Sequence, residues 1–278
     1  MDGTFKAAPS MFHQVYSIHA EVMGQIMPIV VALLPAKDEM TYTRMFRLLQ
    51  ASTHQYGLLL QPNTICIDFE LAMMNTIREY FPDARIRGCL FHYAQALWRK
   101  VQTLGLVNRY SDDPAFNRMV RRASALPLVP PHLVDEVWMT AMNEVNDPES
   151  TVFMDYVTDT WVDNISARFP IEVWTQYDNI DGHRTNNNLE AWHYALNREL
   201  GKPHPNLFRF IEILQEEQQV RVEQQIRLLQ AGQAPEQQRP AYRRVTERLV
   251  RLKNRLINNH RLSLCRCCGR NFEPAAEK

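Results

Sequence analysis

Residues 64–92 read TICIDFELAMMNTIREYFPDARIRGCLFH, and their pattern decides the fold. A β-branched run, Thr64, Ile65 and Ile67, predicts a buried strand that delivers Asp68 to its C-terminal end. Leu71, Met74, Ile77 and Phe81 then recur at helical spacing, which predicts an amphipathic helix. A second strand follows and ends in Cys89-Leu90-Phe91-His92. Strand, helix, strand is the unit of a sheet with crossover connections, whose ligands bind at the carboxyl ends of the strands. Asp68 sits at such an end.

Outward from this unit, residues 2–35 predict three strands. Thr4–Phe5 ends the first, Phe12–Val22 alternates apolar and polar positions, and Gln25–Leu34 is nearly continuous in apolar residues. Met23-Gly24 suits a tight hairpin, and Pro35 stops the third strand. Asp38 or Thr41 is placed to cap a helix over Glu39–Gly57. The order β-β-β-α-β-α-β is the ribonuclease H-like arrangement, a mixed sheet flanked by helices. In that topology the first and fourth strands are neighbours, so Asp2 and Asp68 are expected side by side.

The rest of the chain reads as helical. A helix is expected from Tyr93 to about Gly105, and the proline-broken residues 106–175 predict an all-helical insertion with Trp138, Trp161 and Trp174 inside. Asp112 or Asp113 before Pro114, and Pro148-Glu149, mark helix starts within it. Residues 176–188 are a polar loop; Leu189–Leu200 and Leu207–Leu229 follow as helices. A Gln-rich linker leads to a basic helix over Tyr242–Ile257 and a tail with Cys265, Cys267 and Cys268. The expected domains are therefore 1–105 (first part of the core), 106–175 (helical insertion), 176–230 (rest of the core) and 231–278 (a helical C-terminal extension with its linker and tail).

Composition narrows the function. Formal net charge is zero, so a nucleic-acid partner has to be met by local basic patches. The longest apolar stretch, Ile29–Pro35, is too short to cross a bilayer, and no signal-peptide pattern opens the chain. No membrane partner is expected, and the location expected is nuclear, or cytosolic without an import signal. Five scattered cysteines make thiols, not bridges, the expected state.

Asp2, Asp68 and Glu190 stand out as acidic residues at a strand end, a strand end and a helix first turn. Clustered carboxylates repel one another unless a divalent cation neutralises them, and all-oxygen donors favour Mg²⁺ or Mn²⁺. Two such ions serve phosphoryl transfer. Taken singly, each residue also reads as a cap or a surface charge. His183, Arg184, Asn186, Asn187 and Asn188 precede Glu190; they suit a DNA strand, while Asn188 also reads as an N-cap. The last helix carries Arg243, Arg244, Arg248, Arg251, Arg255 and Lys253 against Glu247 and reads equally as a phosphate-tracking face or a solvated one. Asp178 and Asp181 compete with Glu190 for the third carboxylate, but lie outside the Leu-Glu-Ala-Trp-His context. Zinc at the C-terminal cysteines is the less favoured reading of that cluster.

Three segments, DGTFKAAPSMFHQVYSIHA (2–20), IDFELAMMNTIREYFPDARIRGCLFHYAQALWRK (67–100) and RTNNNLEAWHYALNREL (184–200), resemble the catalytic domain of Mutator-like element (MULE) transposases, from Asp2 to about Glu217. The resemblance implies a DDE triad at Asp2, Asp68 and Glu190 that binds two Mg²⁺ or Mn²⁺ ions. It also implies a Cys-x-x-His signature at Cys89 and His92 beside the site, and a helical insertion before the last Glu. Cleavage and strand transfer at transposon ends, DNA as partner and a homo-oligomer are the implied activity and assembly. Cys89 and His92 read with even weight as a core thiol and a helix-capping His. Asp2 has no strand residues ahead of it, so a fragmentary or truncated gene product is expected. The alternative function is a domesticated, non-catalytic remnant that binds DNA or protein.

Overall fold

The structure, a computed structural model, describes residues 1–179, 184–185, 187–217, 222–233 and 240–259. Five strands and twelve α-helices follow one another among these residues: β1 (Asp2–Thr4), β2 (Gln14–Val22), β3 (Gln25–Leu34), α1 (Glu39–Gln55), β4 (Thr64–Ile67), α2 (Leu71–Tyr80), β5 (Arg85–Gly88), α3 (Leu90–Thr103), α4 (Val107–Asp112), α5 (Pro114–Ala125), α6 (Val134–Met142), α7 (Pro148–Val157), α8 (Ile171–Trp174), α9 (Asn187–Leu200), α10 (Leu207–Glu216), α11 (Glu223–Gln230) and α12 (Pro240–Asn259). This is a mixed α/β chain with small sheets and many helices. It divides into two compact units, one of Met1–Ile86 with Asn186–Gln238, the other of Arg87–Thr185 with Arg239–Lys278.

In the first unit β1, β2 and β3 form an antiparallel sheet in that order. Met23 and Gly24 both have left-handed φ, 52° and 82°, the geometry of a two-residue turn whose twist matches the strands it joins. Asp2 lies opposite Ser17 and Gly3 opposite Tyr16. The ladder slips between Ile18 and His19, a bulge that re-aims the side chains beyond it. β4 and β5 form a separate two-stranded sheet, joined by the α2 crossover. The bond from the Arg85 N–H to the Asn63 carbonyl, 2.9 Å, ties their starts together as parallel pairing requires.

The single mixed sheet expected from the strand order is therefore laid out as two ladders. β1 spans three residues and pairs with β2. Just ahead of it, the Met1 amino group donates to the Cys66 carbonyl at 2.8 Å. That bond sets Met1 beside the end of β4, one residue before Asp2 and two before Asp68.

Ala7, Ala8 and Val15 pack with Leu196, Leu200, Phe210 and Ile213, so α9 and α10 join these residues in one core. α1, capped by the Asp38 carboxylate on the Thr41 N–H (2.8 Å), buries Tyr42, Met45 and Phe46. Phe46 meets Phe81 edge-on at 5.2 Å. In α2 Met73, Met74 and Ile77 are buried, whereas Leu71, expected on that face, is exposed. Asn188 lies inside α9 and is not its cap. The expected 207–229 helix is described as α10 and α11, with 218–221 outside the described residues.

The second unit is helical apart from its share of β5. Tyr93 stacks on Trp174 (5.3 Å) and meets Trp161 edge-on (4.7 Å), and the Trp174 indole N–H donates to the Trp161 and Phe169 carbonyls. Trp138 is buried too and donates to Thr158 Oγ1 at 2.9 Å. Asp113, with Pro114 behind it, caps α5. Asp147 caps α7 through the Ser150 N–H and takes the guanidinium of Arg109 from α4, with Nη1 2.6 Å from Oδ1.

Those bonds hold the Asp147 carboxyl well below the usual carboxylate range, the Arg109 guanidinium being the largest cause. A depressed folded pKa means the stabilisation is present above the unfolded pKa of about 3.9 and is lost as pH falls through that value and below. Asp147→Ala is expected to cost about 1–2 kcal/mol, read as a lower urea midpoint at pH 7, with the gap to wild type closing in strong acid.

Candidate functional site

Three carboxylates of the first unit lie close enough to Tyr16 to act on its phenol. Tyr16 is 1% exposed on β2. Burial first, then the charges of Asp68, Glu70 and Asp2, push its phenol well above the ordinary value. The strand order explains why these groups meet. Gly3 beside Asp2 is opposite Tyr16, and the Met1–Cys66 bond brings the start of β1 to the end of β4, where Asp68 follows.

The three carboxylates are compensated differently. Glu70 accepts from the Tyr42 hydroxyl (2.8 Å), pairs with Lys37 (3.3 Å), and is further backed by Gln14, whose amide donates to the Tyr42 oxygen at 3.0 Å. Burial nonetheless raises its carboxyl above the ordinary value. Asp2, 8% exposed, accepts the Gly3 N–H at 2.7 Å on Oδ1. Asp68 keeps a buried Oδ1 with no hydrogen-bond donor, and the Tyr16 hydroxyl is likewise buried without a partner. A buried carboxylate oxygen without a donor is a costly arrangement that an added cation relieves.

Glu190 is half-buried in the first turn of α9. One turn on, His193 is 7% exposed and its Nε2 lies 3.0 Å from Ser17 Oγ. Its Nδ1 faces Asp2 Oδ2 at 3.8 Å, beyond hydrogen-bond length. Burial, then the positive N-terminus, lowers the imidazole to about 4, so it faces Asp2 as a neutral ring and the pair is not a salt bridge. His19, edge-on to Trp192 at 5.3 Å, is lowered to about 3 by burial, the N-terminal charge and His193.

All-oxygen donors and the unmatched Asp68 Oδ1 suit a hard divalent ion such as Mg²⁺ or Mn²⁺. Among the described residues, however, no three His, Cys, Asp or Glu side chains are gathered closely enough to hold a metal ion. Asp2 and Asp68 are the residues that fit, with Glu190 one helix turn from the imidazole that faces Asp2.

Cys89, His92, Arg184 and the arginines of α12 lie in the second unit. Cys89 is fully buried and immediately precedes α3, and His92 occupies the first turn of that helix. Arg184 is 3% exposed; its guanidinium donates to Thr246 Oγ1 of α12 (3.0 Å) and its carbonyl accepts from the Leu90 N–H. Asp178 is taken by the Arg87 guanidinium in a two-pronged pair at 3.0 and 3.1 Å. On α12, Thr246 and Lys253 turn inward, Lys253 over the Tyr177 ring at 4.9 Å. Arg243, Arg244, Arg248, Arg251 and Arg255 are exposed. Asn187 is exposed on the first unit. His183, Asn186, Asp181 and the C-terminal cysteines lie outside the described residues.

Sequence reading passed over Tyr16, Ser17 and His193 as site residues. The available signals were Ser17's place on the alternating second strand and His193's spacing of three from Glu190, which puts the two on neighbouring turns of one helix. Their meeting with Asp2 depends on register, which spacing alone does not provide.

Residues 1–96 match the family model of the MULE transposase domain. Comparison with curated proteins found no match, and neither did comparison with solved structures. Among the described residues no helix is long and apolar enough to cross a membrane.

The two depressed imidazoles make a pH prediction. Unfolded histidine takes up a proton near pH 6.5, whereas folded His193 and His19 resist until about 4 and about 3. Stability is therefore present above pH 6.5 and lost as pH falls toward 4. The urea midpoint should drop across that window, and a His19→Gln, His193→Gln double variant should flatten the drop.

Proposed function

We propose, from the match of residues 1–96 to the MULE transposase domain model, that the chain is a DDE-type phosphoryl-transfer domain built on a ribonuclease H-like core. The observation that carries the proposal is half-buried Asp68, just after β4, whose buried Oδ1 meets no donor among the described residues, while it and Asp2 both bear on the Tyr16 phenol. The fold reading draws support from the Met1–Cys66 bond, since a ribonuclease H-like order would set the strand of Asp2 next to that of Asp68.

In this reading Asp2 and Asp68 hold the catalytic ions, and Glu190 completes the set from α9. Mg²⁺ or Mn²⁺ bound there supplies Lewis-acid activation of the attacking hydroxyl and of the leaving oxygen in phosphodiester cleavage and strand transfer. The chain's residues set the geometry. The Gly3 N–H fixes one oxygen of Asp2, and the buried wall of Tyr16 excludes water from one side of the carboxylates. Lys37 and Tyr42 keep Glu70 engaged away from the ions.

DNA, transposon end and target alike, is the proposed substrate, with the nucleus as its setting and a homo-oligomer as the assembled form. The exposed arginines of α12 are the proposed phosphate contacts. Arg184, buried against Thr246, anchors that helix instead of touching a strand. A second reading, a non-catalytic DNA- or protein-binding remnant, is favoured by one observation, the lack of a gathered three-residue metal set among the described residues.

Incubation with Mn²⁺ on a labelled terminal-repeat duplex separates the two. Wild type is expected to nick the duplex, and Asp68→Ala to fall to background; equal nicking by both would refute the catalytic reading. For binding, Arg248→Ala with Arg251→Ala is expected to reduce the slope of log affinity against log salt by about 2, roughly 1 for each phosphate that is no longer neutralised.

A further inference from the structure

We propose that His193 is a positioning residue for this carboxylate site: through Ser17 it clasps α9, which carries Glu190, to the strand pair that carries Asp2. The inference rests on the metal-site reading above and adds a residue which that reading does not require.

The geometry is specific. Ser17 is fully buried on β2, directly opposite Asp2 in the antiparallel register. Its Oγ lies 3.0 Å from His193 Nε2 and 3.5 Å from the Asp2 carbonyl oxygen. These two side chains, 176 positions apart in the chain, make a buried polar link between β2 and α9. His193 Nδ1 points at Asp2 Oδ2 from 3.8 Å.

A neutral imidazole has one N–H and one lone pair, and only one assignment suits both neighbours. With Ser17 giving its one proton to Nε2 at 3.0 Å in place of the longer 3.5 Å contact to the Asp2 carbonyl, Nδ1 carries the ring proton and presents its positive edge to the Asp2 carboxylate. The other tautomer would aim a lone pair at that carboxylate. One ring thus holds a helix to a strand and faces the carboxylate at the strand's start.

The trio has the residue types of a hydrolase triad, but it cannot work as one. Ser17 Oγ is enclosed on a core strand with no surface for a substrate, and the His193–Asp2 gap exceeds a hydrogen bond. An apolar pair would fill the same space without burying a hydroxyl and a ring that must then find partners. What the polar pair adds is directional. Glu190 is one helix turn from the clasp and Asp2 is directly across from it, so one bond sets the third carboxylate's helix against the first. Partners of metal ligands act in this way, and losing one commonly costs 10–100-fold in metal affinity or activity.

The full chain is studied without DNA, by amide hydrogen exchange in the metal-free protein and by Mn²⁺ titration followed through electron paramagnetic resonance. His193→Ala is expected to speed exchange at Asp2–Thr4 and at Ala191–Tyr194, the first amides of α9 with intrahelical acceptors, and to weaken Mn²⁺ binding about tenfold or more. His193→Gln, whose amide reaches Ser17, should recover most of both. Ser17→Ala removes only the hydroxyl and should give the same signs, which keeps the test open if His193→Ala does not fold. Exchange equal to wild type in these variants overturns the clasp. Faster exchange with unchanged Mn²⁺ affinity overturns the positioning role. Wild-type Mn²⁺ binding that Asp68→Ala leaves intact overturns the metal-site reading, and the positioning role with it; that failure shows in the wild-type and Asp68→Ala pair, not in the His193 variants.

Discussion

Like charges in a poorly solvated site repel, and Asp2, Asp68 and Glu70 all bear on the one buried phenol of Tyr16. Much of the first unit can be understood as the compensation of that repulsion. Glu70 is satisfied by Tyr42 and Lys37, and Gln14 donates to the Tyr42 oxygen, which ties α1 and the sheet to the loop after β4. Asp2 is satisfied on one oxygen by its own strand. Asp68 is left with an oxygen that nothing in the described chain meets. The three acids are thus compensated unequally, Glu70 most fully and Asp68 least.

The bond from Met1 to Cys66 is the second constraint. β1 forms its ladder on β2, and the Met1 amino group just ahead of it donates to the Cys66 carbonyl. That bond and the Gly3–Tyr16 register bring Asp2 and Asp68 to a common neighbour, Tyr16. The bulge after Ile18 and the α9 packing then add His19 and His193 to the rim as neutral rings.

In the second unit the balance is different. An aromatic core around Tyr93, Trp161 and Trp174 holds short helices that the prolines separate. Charges there are paired for capping and anchoring: Asp147 with Arg109, Asp178 with Arg87, Arg184 with the α12 hydroxyl of Thr246. The arginines left on the solvent side of α12 form a basic face on a chain whose net charge is zero. Local clustering, not overall charge, makes such a face attractive to a polyanion.

By itself the sequence determined the elements whose signals are local. The β4–α2–β5 unit, the Met23-Gly24 turn, the helix starts near Asp38, Asp113 and Pro148 and the buried tryptophans follow from periodicity, glycine φ preference and side-chain capping, each contained within a few residues. Asp68 at the end of a buried strand was legible for the same reason. Only the tertiary structure decided the strand pairing, since a ladder's extent depends on partners far apart in the chain. It also decided that Asn188 lies inside its helix, that Leu71 faces solvent, that Arg184 is buried, and that Ser17 meets His193 opposite Asp2. None of these has a local signature, because register and burial are properties of the packed whole. Residues 64–92 identify the kind of fold; how their carboxylate is met depends on Met1, Tyr16 and the register of β1 on β2.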